Sequence, residues 1–165
     1  MINKLFLLLA PALIVAASIS AAITGDHDHQ VDPSKYADVQ YIDPELVQWA
    51  ETVYPGTEIT AVFGDMKQAG QMYTIRLKLP ANYVVPPHTH TQDEYMTVIS
   101  GSLNVGIGES VDKDDTVFLP VGGAVGIPGK VPHYAWTTEE MVMQIHAMGP
   151  RDTCFVHGPD HQHEK

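Results

Sequence analysis

The stretch Pro86-Pro87-His88-Thr89-His90-Thr91-Gln92-Asp93-Glu94-Tyr95-Met96-Thr97-Val98-Ile99-Ser100-Gly101 decides how this chain is read. His88 and His90 stand two residues apart, and on an extended strand residues i and i+2 project to one face, so both imidazoles can reach one point. Glu94 follows His90 at even spacing and returns to that face if strand parity continues. Met96 and Val98 alternate with Thr97 and Ile99 up to Gly101, the pattern of a strand ending in a turn. Two imidazoles and a carboxylate converging from β structure compose a ligand set for a transition metal.

Outward from this stretch the chain continues as short β runs separated by turn residues. Strands are expected at Ile59–Phe63, Tyr73–Leu79, Tyr83–His90, Glu94–Ile99, Leu103–Ile107, Thr116–Leu119, Ala124–Ile127, His133–Thr137, Val142–Ala147 and Cys154–His157. Tyr73, Ile75, Leu77 and Leu79 alternate with Thr74, Arg76 and Lys78, which marks one buried face. Many short strands at close spacing predict an all-β, closed or double-sheet antiparallel fold. Before them, Asp43-Pro44-Glu45 has the form of a helix start, with Leu46, Val47, Trp49, Ala50 and Val53 as an apolar face. This predicts a short N-terminal helix ending near Tyr54-Pro55-Gly56 and packed on the outside of the β domain.

The first 22 residues read as a secretory signal peptide: Lys4, an apolar run from Leu5 to Ala17, then small residues with Ser20 and Ala22 at the −3 and −1 positions of a cleavage site. The apolar run is short for a bilayer span and holds Pro11. Cleavage after Ala22 would leave 143 of the 165 residues and, with Lys4 gone, take the formal net charge from −11 to −12. So acidic a chain is expected to avoid nucleic acid and anionic lipid, and to have no membrane association after cleavage. Cys154 is the only cysteine, so no internal disulfide forms; it reads as a small buried hydrophobe. The organisation expected is 1–22 signal peptide, 23–57 arm and short helix, 58–158 β domain and 159–165 polar tail.

The residues now support a resemblance. His88, His90, Glu94 and Gly101 match the first cupin motif, His-x-His-x(3)-Glu-x(6)-Gly. The second, Gly-x(5)-Pro-x-Gly-x(2)-His, is approximated by Gly122, Pro128 and His133, with Lys130 where the second glycine usually stands and Gly129 one place early. Asn82 occupies the position of the first motif's leading glycine; asparagine tolerates a left-handed turn better than other residues with a side chain. The chain thus resembles cupins over roughly Tyr73 to Pro150, and is similar to small exported single-domain (RmlC-like) cupins and to the cupin half of zinc-dependent anti-sigma factors. The resemblance implies a single jelly-roll β-barrel with one metal ion held inside by His88, His90, Glu94 and His133. This 3-His/1-carboxylate set suits Mn, Fe, Co, Ni, Cu or Zn without choosing among them.

Gln144 and His146 share one strand face; if that face is interior, His146 is a candidate acid/base group. The chain has only two arginines, Arg76 and Arg151; Arg76 lies on the polar face of its strand, and no guanidinium is evident in the pocket. That counts against chemistry that grips a dicarboxylate. Met96, Val98, Leu103, Val105 and Ile107 predict an apolar wall suited to a small-molecule ligand. His27, His29, His161 and His163 are read as solvated tails that would collect metal loosely. The expectation is an exported (periplasmic or extracellular) metal-dependent enzyme acting on a small molecule by dioxygenation, isomerisation or decarboxylation. The alternative is a metal-dependent sensing or binding module without turnover. A homodimer through the pairing common among cupins is the expected assembly.

Overall fold

The computed structural model describes residues 38–157. The expected signal peptide, most of the arm, the polar tail and the four terminal histidines therefore lie outside the described residues. Eleven strands form within them: β1 Ala50–Glu51, β2 Glu58–Phe63, β3 Met72–Leu79, β4 Val84–Thr89, β5 Glu94–Ser100, β6 Leu103–Ile107, β7 Val117–Leu119, β8 Ala124–Ile127, β9 His133–Trp136, β10 Met141–Met148 and β11 Cys154–Phe155. They build two antiparallel sheets, one in the order β1-β2-β3-β10-β5-β8 and one in the order β11-β4-β9-β6-β7. This is the expected all-β jelly roll.

Alternation decides which face each strand buries. On β3, Tyr73, Ile75, Leu77 and Leu79 are buried; on β10, Met141, Met143, Ile145 and Ala147 are. These pack with Met96 and Val98 of β5 and with Val85, Leu103, Val105 and Ala135 of the facing sheet in one core. The opposite face of the first sheet is polar. Arg76 Nε donates to Gln144 Oε1 at 3.2 Å, Thr74 Oγ1 contacts His146 Nδ1 at 3.0 Å, and Lys78 pairs with Glu58 at 2.6 Å.

The predicted helix at Asp43 is not formed. Asp43 Oδ1 does accept from the Glu45 backbone N–H at 2.9 Å, but only one turn follows. A helix of about ten residues is marginal by itself. Here the segment has better partners: Ala50 and Glu51 pair with Ile59 and Glu58, and Lys78 lies over the Trp49 ring at 4.7 Å. Nor does the segment stay outside the core. Thr57 donates to the Tyr54 carbonyl at 2.8 Å, and this turn drives Tyr54 into the core, where it is 2 % exposed.

The two positions where the sequence departs from the cupin glycine pattern both adopt the glycine backbone: Asn82 has φ +57° and Lys130 φ +69°. The turns are kept although the side chains changed. Gly101 ends β5 at φ +70°, where a Cβ would stand 2.5 Å from the Glu140 carbonyl oxygen.

Candidate metal centre

His88 sits on β4 directly opposite His133, the first residue of β9. The register shifts between Val85 and His88, across Pro86 and Pro87. Proline cannot donate to a ladder and is tolerated at such a bulge. The bulge turns Val85 and His88, three residues apart, toward the same chamber. His90 follows one residue beyond β4, and Glu94 opens β5. The turn before β9 is tied to the loop between β4 and β5 by Lys130 N–H donating to the His90 carbonyl at 2.7 Å and Gly129 N–H to Asp93 Oδ1 at 2.8 Å. Asp93 therefore fixes the loop rather than orienting Glu94.

The structure brings His88, His90 and His133 together, with one ring nitrogen of each within 4.8 Å of the others. Glu94 reaches the same point: its two oxygens lie 3.6 Å from His90 Nε2 and 3.7 Å from His133 Nε2. All four side chains are buried. Each histidine is anchored at Nδ1 by a backbone carbonyl: His88 to Pro86 at 2.7 Å, His90 to Asp152 at 2.5 Å and His133 to Val131 at 2.9 Å. A carbonyl only accepts, so Nδ1 must carry the proton and Nε2 the lone pair. His133 Nε2 has no hydrogen-bond partner although it is buried. Burial first, then the neighbouring charges of His133 and His90, hold the His88 imidazole well below its usual range; burial also lowers His133. Neutral imidazoles are what a metal requires.

This donor set fits a transition metal. Two donors each about 2.1 Å from one ion stand roughly 3.0 to 3.4 Å apart, between right-angle and tetrahedral arrangements, so separations of 3.6 and 3.7 Å need only a small contraction.

Around the ligands, Leu77, Val85, Met96, Val105, Ala135, Met143 and Ile145 form an apolar chamber. The apolar wall was expected, but Ile107 is exposed on the far side of β6. The free space is about 20 Å³, room for one or two waters. Tyr54 stands edge-on to His88, ring centres 5.6 Å apart, and to Phe155. Burial pushes its phenol up to about 12.

Two expectations are corrected. His146 is not brought to the metal ligands: β10 turns Met143 and Ile145 to the chamber, so Gln144 and His146 face outward, where His146 lines a separate groove with Met72, Tyr95 and Met148. Arg151 does line the chamber, beside His90 and Glu94. Strand parity could not place it because Gly149 and Pro150 interrupt the strand first. Tyr54 was missed because it was assigned to a helix. Cys154 is half-buried on β11.

The comparisons agree with this architecture. A family model described as "Cupin domain" matches residues 75–148. No curated protein matches the chain. Among solved structures, the chain is similar to the polyketide cyclase RemF from Streptomyces resistomycificus (TM-score 0.61, 20 % identity, covering 74 % of this chain and 88 % of that one). It is also similar to an RmlC-like cupin from Shewanella frigidimarina (TM-score 0.53, 14 % identity, 66 % and 88 % covered). A third similar structure is the salicylate 1,2-dioxygenase of Pseudoaminobacter salicylatoxidans (TM-score 0.51, 16 % identity, 61 % of this chain but 27 % of that one). At such identities these structures speak for the fold alone. The jelly roll, the paired motifs on β4–β5 and β8–β9, and the family match identify residues 75–148 of this chain as a cupin domain.

Proposed function

We propose that the chain is an exported mononuclear metal protein in which His88, His90, Glu94 and His133 hold one divalent transition metal, and that it acts as an enzyme on a small molecule. One observation carries the reading: three backbone carbonyls fix three imidazoles so that their Nε2 lone pairs converge beside a carboxylate, and one of those nitrogens is buried without a partner. An unpaired buried polar atom costs about 1–3 kcal/mol, which a bound metal offsets.

When bound, the metal supplies Lewis acidity or an O2 site. The chain's own residues hold the ligands in one tautomer, exclude water with an apolar wall, and place the Tyr54 phenol beside His88. With a phenol pKa of about 12, Tyr54 is a proton donor at neutral pH and not a base. With His146 outside, the chamber has no uncommitted general base among the described residues. This favours chemistry on a molecule held at the metal, of the dioxygenase or decarboxylase type, over isomerisation by a proton-shuttling side chain. A similar fold named as a dioxygenase belongs to that class, by analogy of fold; the similar fold named as a cyclase does not.

A second reading, a metal-dependent sensing or binding module, is favoured by the free volume of about 20 Å³, which suits an ion and its water rather than an organic molecule. Metal analysis of the untagged chain, with a His90→Ala control for loose binding by the terminal histidines, tests both. One redox-capable ion per chain with exchangeable water supports the enzyme; one four-coordinate zinc supports the module. His90→Ala should bring site metal to background while far-ultraviolet dichroism is kept. Stoichiometric metal in that variant refutes the ligand assignment.

A further inference from the structure

Among the described residues, the chamber holds one cation that the ligand set does not use. Arg151 lines it beside His88, His90, Glu94 and His133, and also lines the mouth with Tyr73, Gln92, Met148 and Pro150. Its Nε is buried and makes no hydrogen bond. Among the described residues no carboxylate lies within ion-pair distance of its guanidinium. The Tyr54 hydroxyl, in the same chamber, is likewise buried, with the Thr153 hydroxyl beside it but no hydrogen bond of normal geometry to it. Burial raises the phenols of Tyr54 and Tyr73, and the Arg151 charge opposes the rise at both, so the guanidinium is within electrostatic reach of the two rings.

Arg151 is half-buried and its Nε is fully buried without a partner, which carries a desolvation cost, and arginine is the residue whose planar fork fits a carboxylate with two parallel hydrogen bonds. This chain has only two arginines and a net charge of −11, so such a group at this point is not the overflow of a basic surface. Its backbone is fixed. Arg151 N–H donates to the Met66 carbonyl at 2.7 Å, and Gly149 N–H to that of Gln71 at 2.8 Å. Next to it, the Asp152 carboxylate accepts from the Thr91 N–H and hydroxyl, while the Asp152 carbonyl holds His90. Charge completes the argument. Among the residues lining the chamber, Arg151 balances Glu94 when no metal is bound; a dication at the ligands then leaves an excess of two positive charges, only partly offset by the Asp152 carboxylate at the mouth, and an anion relieves the remainder. The free space, about 20 Å³ at the ligands and about 10 Å³ at the mouth, is filled by an ion and a water, so a bound acid must displace that water and leave its remainder in the mouth.

We propose that Arg151, with the Tyr54 hydroxyl, forms an anion subsite beside the metal position, and that the ligand of this protein is a small organic acid whose carboxylate is gripped there. This rests on the metal reading above.

The test uses the chain loaded with cobalt(II), its visible absorption titrated at pH 7.5 and constant ionic strength with acetate, and with acetamide as the uncharged control. Acetate should give a saturable change and acetamide none. Arg151→Met should keep one cobalt per chain and weaken acetate by roughly tenfold to a hundredfold, the loss expected for a charged hydrogen-bonded pair. Arg151→Lys, which keeps the charge without the fork, should keep the metal and weaken acetate severalfold. If Arg151→Met does not fold, the lysine variant decides alone. Unchanged acetate affinity in the variant that folds, an equal response to acetamide, or no acetate response in the parent chain overturns the subsite while leaving the metal reading intact. Failure of the parent chain to bind cobalt overturns the metal reading, and the subsite with it.

Discussion

Replacing His133 with leucine separates the cost of building a metal site from the gain of filling it. In the metal-free chain His133 Nε2 is buried and unpartnered, 3.7 Å from Glu94 Oε2, and its ring centre is 4.3 Å from that of His88. Leaving such an atom costs about 1–3 kcal/mol. Leucine, of similar volume, removes the atom but also the 2.9 Å bond to the Val131 carbonyl, worth about 1 kcal/mol. Metal-free His133→Leu should therefore match the parent chain or exceed it by up to about 2 kcal/mol. Metal at a hundred times its Kd stabilises the parent chain by about 2.7 kcal/mol and the variant not at all, so the order of stability reverses. For a domain of this size each kcal/mol moves Tm by roughly 4 °C. Thermal melts at pH 7.5, where His88 and His133 are neutral, should place the variant up to about 8 °C above the parent in chelator. Metal should then raise the parent by about 11 °C. A variant clearly less stable in chelator, or one that keeps the metal-induced rise, refutes the account of the site as a strained, pre-formed metal cradle.

Protons should act on the same groups. The folded pKa of His88 and of His133 lies below the unfolded value of 6.5, so the unfolded chain binds more protons as pH falls. Metal-free stability should be full above pH 6.5 and decline below it, by at most about 1.4 kcal/mol per pH unit per histidine; urea midpoints flat from pH 7.5 to 5.5 would contradict this. Tyr54 has the opposite sign. Its folded pKa is raised from 10.0 to about 12, so about 2.7 kcal/mol of stability should be lost between those pH values, and Tyr54→Phe should flatten that alkaline slope. Lys130 holds φ +69°; Lys130→Gly should stabilise by about 0.5–1 kcal/mol, the left-handed strain less the extra entropy of unfolded glycine. A fall in its urea midpoint would mean that the lysine side chain has a role that outweighs its backbone.

Strands β2 to β11 were legible within two residues because the apolar runs, alternating most clearly in β3 and β10, are bounded by turn residues. The four candidate ligands were legible from strand parity, reinforced by motif spacing. What failed did so where parity carries no absolute sign. On β10 the pattern correctly grouped Gln144 with His146, but nothing local says which of two alternating faces is interior. Only the neighbouring strands decide that, by matching Ile145 to Ile75 and Met96. The helix at Asp43 failed because its start signal is real but local, and the ladder to β2 outweighs it. Arg151 and Tyr54 lie in turns, where period-two reasoning has no purchase.

The two residues missed in turns, Tyr54 and Arg151, share a relation to the matched segment. The family match runs from residue 75 to 148, and all four candidate ligands fall inside it. The groups that close the chamber around them fall outside: Tyr54 before it, and Arg151, Asp152 and Phe155 after it. Asp152 holds His90 by its carbonyl, Tyr54 and Phe155 pack against His88, and Arg151 supplies the free charge. The matched segment thus contributes a ligand set of generic type, whereas the flanks contribute volume, charge and hydrogen-bond donors, the properties that discriminate one small molecule from another. A chain cut back to the matched segment would keep every proposed ligand. It should nonetheless lose the orientation of His90 and the burial of His88 together, so its metal affinity should collapse although no ligand has been removed.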